Sequence, residues 1–588
     1  MRITDTSDQW WKTAVIYCLD VETFYDSDGD GIGDLQGLAQ RIDYLAELGV
    51  TCIWLMPFYP SPQKDDGYDV SDFYGVDPRV GTAGDLVEVV RTAHDRGIRV
   101  IADLLVNHTS DQHPWFKESR RSTDSPKRDW YVWRSDTPPD TSDQVVFPDK
   151  EKGIWSKDAK TGEWYLHHFY AHQPDLNVAN PQVRDEIARI AGFWLELGLD
   201  GFRVDAVPFF VEDVETTAKQ GESAKGGATK DSKPKGEKAA GHNDDVVQSI
   251  SPHQHLKDLR AFINRRNGAA IMLGEVNLPH AQQREYFGAE AGDELHMMFD
   301  FIGMQKLYLS MAREDARTLA QALTDRPPIH PSCQWATFVR NHDELTLDKL
   351  TDTEREEVFA AFGPDPDMQI YDRGLKRRLP PMLDGDPRRV RMAYSLLFSL
   401  PGTPTLFYGE EIGMGEDLAG EGRHAVRTPM QWSSNPSGGF SKAPARRLVR
   451  RPTPGGFGPE HVNVVDQRTD AHSLWAFMRH LVQTYRSCPE LGWGDFTLLR
   501  QHAPQSDAVL AHQCSTGEAA VIAVHNLGAE PCTVTLDVSE WTEEGDVALA
   551  DLFSGGEVVT DDGSLEVVLE GYGYRWLRVH PVGDLRIP

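Results

Sequence analysis

The stretch 35–58 reads LQGLAQRIDYLAELGVTCIWLMPF. Leucine or isoleucine recurs at helical spacing from Leu35 to Leu48, and Gly49 can end a helix in a left-handed conformation. The apolar run from Val50 to Phe58 then has the composition of a buried strand. This order predicts a helix that leads through one glycine into a strand.

The same unit occurs twice more in the first two hundred residues. Apolar residues at helical spacing precede Gly97 and a strand at 98–106, and a similar run precedes Gly198 and a strand at 199–207. Strands that alternate with helices of this length are typical of parallel βαβ units. Eight strands are predicted in all, at 15–20, 50–58, 98–106, 199–207, 270–276, 295–301, 335–340 and 405–408. Eight such strands indicate an α/β fold, the (β/α)₈ TIM barrel.

Three other segments do not follow the repeat. Residues 107–180 are rich in Trp, Tyr, Pro and Asp and predict a domain inserted after strand 3, over the barrel mouth. Residues 218–241 consist mainly of Lys, Gly, Ala, Ser and Glu, which cannot bury a core, so this insertion is predicted to be disordered. Short alternating runs in 491–588 predict a C-terminal all-β sandwich. The barrel is then built from 1–106 and 181–490.

Composition limits the partners of the chain. Sixty Lys and Arg residues against 91 Asp and Glu give a net charge of −31, which disfavours binding to nucleic acid or to an anionic membrane. We find neither a signal peptide nor an apolar run of transmembrane length, so we expect a cytoplasmic protein. The six cysteines lack paired spacing and are interpreted as reduced packing residues. Self-association of the chain is left open.

Three predicted strands are followed by carboxylates. Asp205 follows GFRV, Glu275 follows a strand that ends in Leu-Gly, and Asp343 lies in FVRNHDE. In a parallel barrel these acids meet at one rim, where an acid and a nucleophile could cleave a glycosidic bond. Arg203 lies two residues before Asp205, on the same face of the strand, and can keep that carboxylate ionised. Any one acid alone is more often structural, and the prediction depends on their joint occurrence.

The blocks DLLVNH at 103–108, GFRVD at 201–205, GE at 274–275 and NHD at 341–343 occur in the order of four signature regions. In this respect the chain resembles the α-amylase family of glycoside hydrolases over nearly its whole length. The resemblance implies that Asp205 is the nucleophile, Glu275 the general acid and base, and Asp343 the stabiliser of the transition state. It also implies a sugar-binding role for Asp65, Tyr68, His108, Arg203, His342 and Arg427. By the same resemblance Asp65 would pair with Arg427 and close the far end of the pocket.

Two metal sites are predicted. The segment DSDGDGIGD at 26–34 places carboxylates at short intervals around glycines, as a calcium loop requires. The resemblance implies Ca²⁺, with Mg²⁺ as the alternative ion, held by Asp26, Asp28, Asp30, the carbonyl of Ile32, and Asp34. An acidic turn without a metal is the competing interpretation. A second structural calcium site is implied at Asn107, Asp175, the carbonyls of Phe209 and Phe210, and Glu212.

Within the family, the chain most resembles members that isomerise maltose to trehalose by retaining α-glucosyl transfer. The runs from Gln334 to Leu347 and from Val426 to Trp432 carry this finer resemblance. A hydrolase or another transglucosylase acting on short α-glucosides is the alternative, because the segment after Val207 departs from the isomerase pattern. A non-catalytic barrel that binds a sugar or a partner is the third hypothesis, and the three intact acids disfavour it. The expected substrates are therefore maltose, trehalose or short α-glucosides.

Overall fold

The computed structural model describes residues 9–210 and 252–581, apart from 504, 518, 543–546, 559 and 561–562. The predicted disordered insertion at 218–241 lies outside the described residues. No helix in the described part of the chain combines the length and the apolar character needed to cross a bilayer.

Eight parallel strands, each paired with the next and the eighth with the first, form a closed barrel. They are β1 (Ile16–Leu19), β2 (Cys52–Leu55), β3 (Arg99–Leu104), β4 (Gly201–Val204), β5 (Ile271–Gly274), β6 (Met297–Phe299), β7 (Gln334–Thr337) and β8 (Thr403–Phe407). All eight predicted strands and the (β/α)₈ barrel are confirmed. The paired strands are shorter than the apolar runs, because the residues after each strand leave the ladder to build the rim.

Helices surround the barrel. The longer ones are Ala83–His94, Pro181–Glu196, Pro252–Arg266, Phe301–Arg313, Arg317–Thr324, Asp352–Phe362, Pro387–Ser399 and Leu474–Arg486. The first predicted helix is instead two, Leu35–Ala39 and Ile42–Leu48. At the break, the Arg41 guanidinium packs on the rings of Tyr25 and Trp432 at 3.9 and 4.3 Å. The predicted glycines Gly49, Gly97 and Gly198 do have left-handed backbones, with φ of 97°, 71° and 106°.

The segment between β3 and the helix Pro181–Glu196 has its own small sheet. Its strands are Trp133–Arg134, Trp155–Lys157 and Trp164–Leu166. The buried Phe116 ring contacts Tyr131, Trp133 and Tyr165 at centroid distances of 5.0, 5.7 and 5.2 Å. These aromatic residues therefore pack with each other, as burial of large rings usually requires.

The C-terminal residues form two antiparallel sheets that pack as a sandwich. The strands are β9 (Asp495–Leu498), β10 (Val509–Ser515), β11 (Ala520–Asn526), β12 (Cys532–Asp537), β13 (Val547–Asp551), β14 (Glu557–Val558), β15 (Ser564–Leu569) and β16 (Tyr574–Pro581). Six of them form one sheet in the order β9-β10-β11-β16-β13-β14, and β12 pairs with β15. One apolar cluster, which includes Ile522 and Leu536, joins the two sheets.

Two histidines lie between the sandwich and the barrel helix Pro387–Ser399. The His525 Nε2 atom lies 2.9 Å from the Ser395 hydroxyl, and the His512 Nε2 atom donates to the Ser399 carbonyl at 2.9 Å. Burial lowers the pKa of His512 to about 4 and that of His525 well below its usual value. The contact between the two parts therefore requires neutral imidazoles.

We expect this contact to weaken in acid. The folded state holds this histidine with a lower pKa than the unfolded state does. Above about pH 6.5 the ring is neutral in both states and the fold has its full stability. As the pH falls toward about 4, the unfolded state binds the proton first and that stability is lost. For His512 the loss is about 3 kcal/mol at most. His512→Gln keeps a donor for Ser399 and should flatten the decline of Tm between these pH values, whereas the exposed His502→Gln should not. An unchanged slope in His512→Gln would contradict this account.

Candidate active site

Arg203 lies at the centre of the barrel mouth and binds three carboxylates. Its side chain is 2% exposed. One guanidinium nitrogen donates to Asp103 at 2.6 Å and to Asp205 at 2.5 Å, and the other donates to Glu275 at 2.7 Å. The predicted pairing of Arg203 with Asp205 is thus present. Because neighbouring nitrogens of one guanidinium hold Asp205 and Glu275, these two carboxyls lie close together, as retaining glycosidases require.

The geometry of the strand ends places the two acids. Asp205 follows β4 and Glu275 follows β5 by one residue each. Ala206 then has a φ of 50°, a left-handed backbone that is uncommon for a residue with a side chain. The chain turns sharply there, and the Ala206 amide donates to Glu275 at 3.3 Å. Such strain is commonly found at functional sites.

Asp103 is a site residue that the sequence argument quoted in a motif without assigning it a role. It is fully buried on β3 and accepts from the Trp54 indole at 2.9 Å as well as from Arg203. Burial raises its pKa to about 7, against the opposing effect of Arg203. The sequence feature that could have indicated this role is that Asp103 lies within a predicted barrel strand, as Arg203 does on β4.

Glu275 has the properties of an acid that holds a proton near neutral pH. Burial raises its pKa to about 7, and the charges of Asp205 and Asp343 add to this effect while Arg203 opposes it. Its side chain is 24% exposed, so a substrate can reach it. A carboxyl in this state can protonate a leaving oxygen.

Asp343 lies across the mouth, between two arginines. Arg423 and Arg427 approach its carboxylate at 2.9 and 3.0 Å. Burial alone would raise the pKa of Asp343, but these guanidiniums hold it well below its usual range. Asp343 therefore stays ionised at pH values where Glu275 can hold a proton. No sequence motif indicated Arg423.

The predicted pair between Asp65 and Arg427 is wrong. Arg427 forms its ion pair with Asp66, whose backbone is left-handed with a φ of 53° and which follows Asp65 directly. Asp65 instead accepts from the Gln173 side chain at 2.8 Å, and burial raises its pKa to about 7. The sequence could not show which of two adjacent aspartates the turn would direct toward the arginine.

The other predicted sugar-binding residues converge on the same mouth. The Tyr68 hydroxyl and the His342 Nε2 atom are 2.6 Å apart, and the two rings stack. Burial lowers the pKa of His342 well below its usual value, so this ring is neutral. His108 contacts the Tyr68 carbonyl at 3.1 Å and Gln173 at 3.3 Å. These side chains form a buried polar wall.

A cavity of about 440 Å³ opens beside the acids. This volume is within the range of small-ligand pockets. Glu275, Asp343 and Asn341 line it from the barrel, and Val146 and Phe169 line it from the inserted segment. Glu275 and Asp343 therefore face a space that could hold a short sugar, and Asp205 lies beside Glu275 on the Arg203 guanidinium.

The first predicted metal loop brings three of its carboxylates together. Single oxygens of Asp26, Asp28 and Asp34 lie within 4.8 Å of one another. Oxygen ligands 2.3–2.6 Å from a Ca²⁺ ion can be separated by about this much. Asp30 is not one of the three, and its carboxylate accepts from the Ile32 amide at 2.8 Å. The donor set fits a hard cation with three carboxylates instead of four.

The second predicted metal set is not complete in the described residues, because Glu212 lies outside them. The Asp175 carboxylate is hydrogen-bonded to the His168 Nδ1 atom, and the Asn107 side chain lies 3.3 Å from the His108 ring. Phe209 packs against His168, and Phe210 against His255. This site stays a prediction.

The sequence matches models of known protein families. The model for the α-amylase catalytic domain matches residues 18–360 and 376–494. The chain belongs to the α-amylase family. A model for a sucrose hydrolase-like C-terminal domain also matches residues 518–578.

Known relatives cover nearly the whole chain. The chain is 39% identical to the trehalose synthase/amylase of Mycobacterium tuberculosis, over 98% of this chain and 91% of that protein. It is 32% identical to a probable α-glucosidase of Rhizobium meliloti, over 90% of this chain and 91% of that protein. A solved structure of a trehalulose synthase in complex with Tris is 25% identical, with a TM-score of 0.71, and covers 97% of this chain and 100% of that one. The chain is thus an enzyme of this family.

We expect the pH profile to report on Glu275. A general acid works only while protonated, so kcat/KM for maltose should fall as the pH rises through about 7. The decline of kcat/KM at alkaline pH should be much smaller with α-glucosyl fluoride, whose leaving group needs no proton. Stopped assays across pH 5–9 measure both profiles. Equal alkaline limbs for the two substrates would exclude Glu275 as the acid.

Proposed function

We propose that this enzyme isomerises maltose and trehalose by retaining transfer of one glucosyl unit. The observation that carries the proposal is the cluster of Asp205, Glu275 and Asp343 around the barrel mouth, with Arg203 bound to the first two. The similarity to a trehalose synthase/amylase along nearly the full chain supports this choice within the family.

In the first step, an Asp205 oxygen attacks the anomeric carbon of the outer glucose. The bond from that carbon to the O4 atom of the second glucose breaks, and Glu275 gives its proton to O4. Asp343, held as an anion by two arginines, stabilises positive charge on the ring in the transition state. The products are a glucosyl ester on Asp205 and a free glucose in the cavity.

In the second step, the freed glucose turns and presents its anomeric hydroxyl. Glu275, now ionised, removes the proton of that hydroxyl while the oxygen attacks the glucosyl carbon and releases Asp205. Two inversions give retention and an α,α-1,1 linkage. Each group returns to its starting state, so the reverse reaction uses the same residues.

Retention of the freed glucose decides between isomerisation and hydrolysis. The inserted segment is tied across the cavity, because Arg373 donates to the Val146 carbonyl at 2.7 Å and Arg423 lies 5.3 Å from the Phe147 ring. The more completely this segment encloses the cavity, the more glucose is favoured over water as the acceptor. Hydrolysis of short α-glucosides is the second candidate function, which the similarity to a probable α-glucosidase supports.

We also propose that the loop at 26–34 holds a structural Ca²⁺ ion through Asp26, Asp28 and Asp34. Asp26 is 4% exposed and accepts from the Gly29 and Gly31 amides at 2.6 and 2.8 Å, so its carboxylate is held in place before any ion binds. The ion would offset two of the three adjacent negative charges and stabilise the loop.

The first functional test is the product formed from maltose alone. Anomeric proton NMR should show trehalose accumulating with little free glucose, and maltose should form when trehalose is supplied. Asp205→Asn should lower both rates by orders of magnitude, because it removes the covalent nucleophile, while its far-UV circular dichroism stays unchanged. Accumulation of glucose alone would overturn the isomerase and leave the hydrolase.

The second test concerns the metal. Chelation should lower Tm by a few degrees, and Ca²⁺ should restore it, since a ligand bound only to the folded state stabilises that state. Asp28→Asn should remove the calcium-dependent increment in Tm. Asp30→Asn, an equally exposed change outside the three carboxylates, should keep it. An identical Tm with chelator and with Ca²⁺ in the unmodified enzyme would refute the site.

A further inference from the structure

Arg450 is a cation near the active site that was not among the predicted site residues and has no role in the reaction described above. Arg450 is only 12% exposed, although arginine side chains are mostly exposed in proteins. It ends a segment that packs on the metal loop, where the Val449 amide donates to the Gly31 carbonyl at 2.8 Å. The Asp26 amide donates to Phe440 of the same segment at 3.0 Å. Both ends of this segment are therefore anchored on the 26–34 loop.

The Arg450 guanidinium forms an ion pair with one oxygen of Asp66. The other Asp66 oxygen binds Arg427, and the His424 ring lies 3.7 Å from the carboxylate. Asp66 is 8% exposed, so water screens these charges little. Two guanidiniums thus share one buried carboxylate.

Arg427 connects this carboxylate to the reaction site. Its Nε atom donates to the His342 carbonyl at 2.8 Å, and its remaining nitrogen lies 3.0 Å from Asp343. The result is a line of alternating charges: Arg450, Asp66, Arg427 and Asp343. Asp66 and Asp343 both form ion pairs with Arg427. Arg450 gives Asp66 a second cation, so Asp66 attracts Arg427 less strongly.

Two further acids near Asp66 make the position of Arg427 depend on Arg450. The carboxylates of Asp20 and Glu22 are close enough to Asp66 and Arg450 for their charges to interact. Glu22 already pairs with Arg79 at 2.6 Å. Without Arg450, Asp66 would face two further acids with Arg427 as its one ion-paired guanidinium among the described residues, and Arg427 would move toward it.

We propose that Arg450 is a positioning residue for this reaction, which acts through Asp66 to keep Arg427 on Asp343. The proposal rests on the proposed function only in its choice of substrate. Arg450 does not touch the sugar. It sets how tightly the stabilising carboxylate is held when the glucosyl ring becomes positively charged.

The test compares two adjacent arginines. Arg450→Gln should lower kcat for maltose about tenfold while KM changes by less than about threefold, because the interaction acts on the transition state. Arg451→Gln, an exposed neighbour, should leave both constants within about twofold of the unmodified enzyme. Arg450→Lys should recover part of the lost kcat. Equal kcat values in Arg450→Gln and Arg451→Gln, or a lowered Tm with kcat unchanged, would overturn the proposal.

A double-mutant cycle tests the route through Asp66. If Arg450 acts through that carboxylate, Asp66→Asn combined with Arg450→Gln should have the kcat of Asp66→Asn alone, within about twofold. Independent effects that multiply would overturn the proposal. The cycle is repeated with p-nitrophenyl α-glucoside, since this substrate reports the same glucosyl step. An enzyme that cleaves this glucoside and shows the coupling but makes no trehalose contradicts the proposed function alone.

Discussion

The site depends on one buried cation, the Arg203 guanidinium, that three carboxylates share. Removing a guanidinium from water costs several kcal/mol unless its partners are well placed. Asp103, Asp205 and Glu275 supply such partners within 2.7 Å. Three acids against one base leave excess negative charge, and the raised pKa values of Asp103 and Glu275 follow from burial together with that excess. One arginine therefore binds the proposed nucleophile, Asp205, and beside it an acid, Glu275, that can hold its proton near neutral pH.

The barrel makes this arrangement possible because it brings four distant strands to one rim. Residues from β3, β4 and the end of β5 meet at Arg203, although 172 positions separate Asp103 from Glu275. A second group of charges lies opposite, where Arg423 and Arg427 hold Asp343 as an anion. One side of the mouth therefore has carboxyls that can hold a proton, and the other side has Asp343, which stays ionised. Cleavage of an acetal needs both.

Much of this was predictable from the sequence, for physical reasons. The helix–glycine–strand unit indicated parallel βαβ units, and the left-handed turn at Gly49 favours glycine because a Cβ there would lie 2.7 Å from the Val482 side chain. The sequence predicted that Arg203 lies beside Asp205, because alternate residues of a strand share a face. Two kinds of information were absent. The choice of Asp66 over Asp65 depends on a turn, and the contributions of Arg423 and Arg450 depend on segments that approach the mouth from far along the chain. Nor could spacing alone show that the converging carboxylates of the 26–34 loop are those of Asp26, Asp28 and Asp34.

The central claim is that glucose is carried on Asp205 while Glu275 moves the proton. The most direct measurement uses Glu275→Gln with α-glucosyl fluoride, which can load the enzyme without an acid but leaves no base to activate the acceptor. Intact-protein and peptide mass spectrometry should then find the mass of one glucosyl residue on the peptide that contains Asp205, and the adduct should disappear in Asp205→Asn. An adduct on another carboxylate, or rapid turnover with no adduct at all, would contradict the account.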